Sequence, residues 1–127
     1  MREVSEAEVA VLDALLAQEF DGVDPLRAQA TSVLARRGCE CGCGTIKLVP
    51  QNPDAPRSSA QSPVPVEATV LDDAGEPVGG VLLFVQDGLL SSLEVYSFKD
   101  ERMQMPEPIR LVWDRIQRRS VPFSSTS

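Results

Sequence analysis

The chain has 127 residues, 19 acidic and 12 basic, with a formal charge of -7 and no histidine. That length sets one domain with a core able to fold without disulfides or a structural metal. Without imidazole the chain lacks the commonest general base and nitrogen metal ligand, so neither a Ser-His-Asp triad nor a Cys-His pair can form.

Seven acids and two bases fall in the first thirty residues. Nucleic-acid binding needs a basic footprint, so no such partner is expected. Arg110, Arg115, Arg118 and Arg119, diluted by Asp114, read as a solvated tail. No apolar run reaches signal-peptide or membrane-spanning length, which predicts a cytoplasmic protein without membrane contact. Thiols stay reduced there.

In chain order, Ser5 followed by Glu8 is a capping-box pattern that opens a helix over residues 5–20. Val9, Leu12, Leu16 and Phe20 recur at helical spacing, and Val11 and Leu15 widen the stripe. Asp21-Gly22 stops it. Asp24-Pro25 reads as a cap and first turn, starting a second helix from Pro25 to about Ala30 with Leu26 inward. Residues 31–37 and 45–49 read as strands joined by a glycine-rich hairpin turn, with Ile46 and Leu48 on one face.

Residues 50–65 hold five of the ten prolines. This is a long loop, read as disordered in preference to a lid or a partner-binding loop. Strands follow at 66–71 and 78–85, then a return strand from Leu89 to about Phe98 after the hairpin signal Asp87-Gly88. Simple alternation puts Leu82, Phe84, Leu89, Leu93 and Val95 on one face. It puts Val81, Leu83, Val85, Leu90, Tyr96 and Phe98 on the other. Both faces are apolar and need cover. One helical hairpin covers one face; the other needs the long loop, the C-terminal segment or a second subunit, which is the reason to expect a homodimer. Residues 109–116 fit a strand or a short helix equally well. The expected fold is α+β, an N-terminal helical hairpin packed on a mostly antiparallel sheet of four to six strands. A single domain spans 1–119, and 120–127 is a disordered tail.

Cys39, Cys41 and Cys43 are the only cysteines. On an extended strand, alternate positions put neighbouring side chains about 6–7 Å apart, too far to share one tetrahedral ion without a bend. Gly42 and Gly44 allow that bend. Three thiolates would leave the fourth zinc position open, and no second cysteine pair exists to close it. Structural thiols are therefore preferred to a zinc site, and a zinc site to a redox one.

The stretch GCECGCGTIKL, followed at a distance by LLFVQDGLLSSLEVYSF, resembles an uncharacterised family of small bacterial proteins found largely in high-GC organisms. The resemblance runs nearly to Pro108 and rests on Leu26, Arg27, Gln29, Cys39, Cys41, Gly42, Cys43, Asp87, Gly88, Leu93, Glu94 and Tyr96. It implies a fold and no mechanism. It draws attention to Glu94, a carboxylate among apolar neighbours that needs a partner, for which Arg27 is the expected choice. With Tyr96 it forms a candidate catalytic pair, which would need a second carboxylate such as Glu67 or Asp72.

Three readings of function remain. The first is a protein that acts by association, as a homodimer or with another protein partner. The second is a zinc-binding protein using Cys39, Cys41 and Cys43. The third is an enzyme or ligand-binding protein with a pocket around Glu94 and Tyr96. The missing histidine, phosphate-binding loop, paired cysteines and basic face favour the first.

Overall fold

A computed structural model describes residues 1–38, 44–99 and 102–115. Among them are two helices, α1 (Glu6–Leu16) and α2 (Val23–Ala30), and seven strands. The strands are β1 (Arg2–Glu3), β2 (Val33–Arg37), β3 (Ile46–Pro50), β4 (Val66–Leu71), β5 (Pro77–Gln86), β6 (Leu89–Ser97) and β7 (Leu111–Arg115). A 3-10 turn, Pro108–Arg110, precedes β7. All pairings are antiparallel, in the order β1-β2-β3-β6-β5-β4-β7. The α+β class holds, but the sheet is wider than the four to six strands expected. The extra edge is the two-residue β1, too short to show a periodicity.

Helix α1 begins as its sequence dictates. Ser5 accepts from the Glu8 amide at 3.2 Å, and Glu8 accepts from the Ser5 amide at 2.9 Å. These bonds satisfy two amides that a helix start leaves without partners. Glu8 also takes a two-pronged bond from Arg2, both contacts at 2.8 Å, which ties β1 to the helix. The Arg2 bond, reinforced by the Ser5 amide, outweighs burial and holds the Glu8 carboxyl below its ordinary pKa.

The helix ends at Leu16 and not at Phe20. Arg27 explains the early stop: its guanidinium donates to Leu16 O at 2.7 Å, to Gln18 O at 3.5 Å and to Glu19 at 2.9 Å, so a side chain serves the orphan carbonyls. The cap of α2 is Gly22 rather than Asp24. Gly22 sits at φ 89°, and a Cβ there would meet the backbone of Ala60, so two independent constraints select glycine. Asp24 lies in the first turn and pairs with Arg27 at 2.9 Å. The helices touch, yet each has its own seat on the sheet, α1 on β4 and α2 on β6, instead of docking as one paired unit.

The core lies between these helices and one face of the sheet. Val11, Leu12, Leu15, Leu16, Val23 and Leu26 meet Ala35, Ile46, Leu48, Ala68, Val81, Leu83, Leu90 and Leu93. Each fully buried leucine contributes about 1.5–3 kcal/mol.

The expected faces of β6 need correction. Val85 pairs with Leu90, but the next residue back, Phe84, pairs with Ser92. Ser91 is an extra residue, a bulge that shifts the alternation by one. Leu90, Leu93 and Val95 therefore share the helix face with Val81, Leu83 and Val85, all buried. Leu82, Phe84, Glu94 and Tyr96 point the other way. Asp87 and Gly88 both have positive φ, 54° and 80°, in the two-residue turn that closes this hairpin.

The 51–65 loop, expected to be disordered, is tied to its surroundings. Ser58 donates from Oγ to Gly22 O at 2.6 Å and from its amide to Gly88 O at 2.9 Å. Val64 donates to Leu83 O, Ser62 Oγ accepts from Val85 N, and Val64 is fully buried. Gln29, 1 % exposed, joins loop, turn and helix. Its Nε2 donates to Pro56 O and Gly88 O, each at 2.8 Å, and its Oε1 accepts from Leu90 N at 2.7 Å. Residues 111–115 settle the open choice near the C-terminus in favour of a strand, with Leu111 buried and Val112 on the opposite face. No helix among the described residues is long and apolar enough to cross a membrane.

Candidate functional site

The two helices and the proline-rich loop all sit on the core side or at its end. The second face of the sheet carries no helix among the described residues. Leu82 and Phe84 on β5 are half-buried there, while Tyr96 is 36 % exposed and Val112 46 %. Phe98 stands beside Tyr96 with ring centroids 5.9 Å apart.

Register arranges this face in rows. One row crosses Val112, Thr69, Gly80 and Tyr96. A Cβ on Gly80 would fall within 2.8 Å of the Tyr96 hydroxyl oxygen and two of its ring carbons, so the ring lies over bare backbone. Glycine in the middle of a strand is the sequence signal for such an approach. The phenol then reaches diagonally to Glu67 on β4 and donates to its Oε2 at 3.0 Å. Burial first, and the Glu67 carboxylate second, push the Tyr96 pKa up to about 12. A phenol that weak an acid holds its proton at neutral pH and acts there as a donor.

The next row holds Asp114 opposite Glu67, and Leu82 opposite Glu94. Continuing the β4–β5 register by one residue sets Glu67 beside Leu82. Glu67 and Glu94 are thus two strands apart, about 10 Å between backbones, with a leucine between them. Glu94 is half-buried on this open face, and its expected partner Arg27 is committed to the end of α1 on the other side. Asp72 is occupied in the β4–β5 turn, accepting from the amides of Ala74 and Glu76 at 2.9 Å each. The structure therefore brings Tyr96 to Glu67 and does not gather Glu94, Tyr96 and a second carboxylate around one point.

A third row runs through Phe84, Ser92, Lys47 and Arg36. Lys47 and Arg36 are directly opposite each other, both exposed, and neither has an anionic partner among the described residues. The face thus carries two like-charge pairs, Arg36 with Lys47 and Glu67 with Asp114. Composition could not reveal them, because only the register sets those residues opposite one another.

Neither Glu94 nor Tyr96 lines either of two clefts. One cleft, of about 730 Å³, lies between the α1–α2 turn and the long loop, lined by Glu19, Phe20, Asp21, Ser59, Gln61 and Pro65. A groove of about 420 Å³ opens where β3 and β6 separate beyond Lys47. Cys39, Cys41 and Cys43 lie outside the described residues. On either side of them Gly38 N donates to Thr45 O at 3.1 Å, and Gly44 N donates to Met103 O at 2.7 Å. Among the described residues no group of three or more acidic, cysteine or histidine side chains is placed to hold a metal ion. No protein-family model, curated protein or solved structure matches the chain.

Proposed function

We propose that this protein works by association, that the open face of its sheet is the associating surface, and that its partner is a second copy of the chain. One observation carries the reading: Leu82, Phe84, Tyr96 and Val112 stand on a face that no helix or loop among the described residues covers. The long loop, the first alternative cover, is hydrogen-bonded to Gly22, Gln29 and Gly88 at the helix side. Leu111–Arg115 of the C-terminal segment, the second, form strand β7 in the same sheet. An apolar sheet face of this kind marks an interaction surface. Seven strands about 4.8 Å apart make a face about 30 Å across, of the order needed to bury about 800 Å² per partner.

Light scattering on the purified chain at micromolar concentration tests this. Association predicts twice the chain mass of 13.8 kDa. A single species at the chain mass across the whole concentration range removes the proposal.

A further inference from the structure

We infer, resting on the association just proposed, that the two copies meet about a two-fold axis running along the β5–β6 hairpin. Arg36 and Lys47 of each copy then lie against Asp114 and Glu67 of the other.

The argument starts from cost. Like charges directly opposite on neighbouring strands are destabilising. The open face holds two such pairs of opposite sign, and neither sign is neutralised within the described chain: Glu67 accepts only the neutral Tyr96 phenol, and Arg36, Lys47 and Asp114 have no charged partner. Strand order supplies the symmetry. The basic pair occupies the second and third strands of the sheet, the acidic pair the sixth and seventh. The midpoint falls between β6 and β5, where Leu82, Phe84 and Tyr96 stand. Two identical faces pack through a two-fold lying in their common plane. Set along that midpoint, the axis brings β2 over the partner's β7 and β3 over the partner's β4. Arg36 then faces an aspartate and Lys47 a glutamate, twice over, around a centre of Leu82, Phe84 and Tyr96 in which the half-buried Glu94 stands opposite Leu82.

The rows do not coincide along the strands, since the basic row passes Phe84 and the acidic row Leu82. That step is about 7 Å, and the pairs are four strand spacings or about 19 Å apart, so a crossing angle of about 40° aligns them. Face-packed sheets cross at about 30°. The long side chains of arginine and lysine span the remainder. Such complementarity selects partner and orientation.

Charge reversal tests the register. The variant R36E/K47E and the variant E67K/D114K should each associate about tenfold or more weakly than the unaltered chain at low salt. Mixed in equal amounts they should form a heterodimer, because every facing pair is then opposite in sign. Sedimentation velocity reads both outcomes, and circular dichroism checks that each variant is folded. Should E67K/D114K fail to fold by losing the Tyr96 bond, R36E/K47E carries the test alone, since both its positions are exposed. In that case weaker self-association, together with dimerisation of the unaltered chain that falls as salt rises, supports the register. If the unaltered chain dimerises and reversal leaves its affinity unchanged, the register is wrong while association stands. If the unaltered chain is monomeric, the association proposal itself falls.

Discussion

Replacing Gln29 by methionine removes three hydrogen bonds from a side chain that is 1 % exposed, while keeping nearly its volume. The three partners do not suffer equally. Gly88 O keeps a second donor, the Ser58 amide at 2.9 Å. Leu90 N, in a buried bond, loses its partner, whereas Pro56 is exposed and water can replace the lost donor at its carbonyl. One buried group left unsatisfied predicts a loss of about 1–3 kcal/mol. Urea melts at one fixed protein concentration should show this as a lower midpoint with an unchanged slope. Gln29→Glu gives an independent check. At neutral pH its carboxylate cannot donate to Pro56 O or Gly88 O, so it should be at least as damaging, and acid should partly restore it because the protonated carboxyl regains one donor. A cost below about 0.5 kcal/mol for Gln29→Met, ordinary for a surface change, would refute the claim that this side chain fastens the loop to the hairpin.

Tyr96 is the chain's single tyrosine, so phenolate absorbance reports it alone. Its titration should centre near about 12 in the folded protein and near the ordinary value of about 10 in urea. Because the folded value is the higher, the stability it contributes is complete below about 10 and is lost as pH rises through about 12. A folded midpoint at 10 would remove the Glu67 bond from the account. Glu8 works in the opposite sense: its pKa is lowered, chiefly by Arg2, so its contribution is present above the unfolded value of about 4.3 and fades as pH falls through the folded value. Glu8→Gln should flatten the acid limb of a stability-against-pH curve, and an unchanged limb would count against the bond. Replacing Cys39, Cys41 and Cys43 together by serine should leave the far-ultraviolet spectrum native and cost about 0.5–3 kcal/mol. One equivalent of bound zinc in protein purified without added metal, with unfolding on chelation, would reverse that expectation.

Local signals were legible in the sequence wherever the chemistry is local. Ser5 and Glu8 form the capping box their spacing predicts, and Asp87-Gly88 turns the hairpin. Ile46 and Leu48 face the core as alternation demands. What stayed hidden depends on contacts between distant residues. Ser91 slips the β6 alternation because pairing with β5 and burial of Leu93 outweigh a regular ladder, and no residue type announces that. Arg27 was matched to the wrong carboxylate because its partners, Leu16 O, Glu19 and Asp24, are gathered by the turn between the two helices. The loop composition suggested disorder, but Gln29, 27 residues from Pro56 and 61 from Leu90, supplies its anchor. The short segment of α2 does structural work at three positions: Leu26 fills the core, Arg27 closes α1, and Gln29 joins loop to hairpin. The like-charge pairs of the open face emerge only from register, so the proposed association surface was foreseeable as an apolar excess and not as a pattern of charge.

Isotope-filtered NOE spectroscopy on an equal mixture of labelled and unlabelled chains tests the central claim most directly, because it reports only contacts between copies. Association through the open face predicts intermolecular NOEs linking Leu82 and Phe84 of one copy to Tyr96 of the other, residues that lie on adjacent strands at the centre of that face. Intermolecular NOEs confined to α1, α2 or the 51–65 loop, or none at a concentration where light scattering reports a dimer, would contradict it.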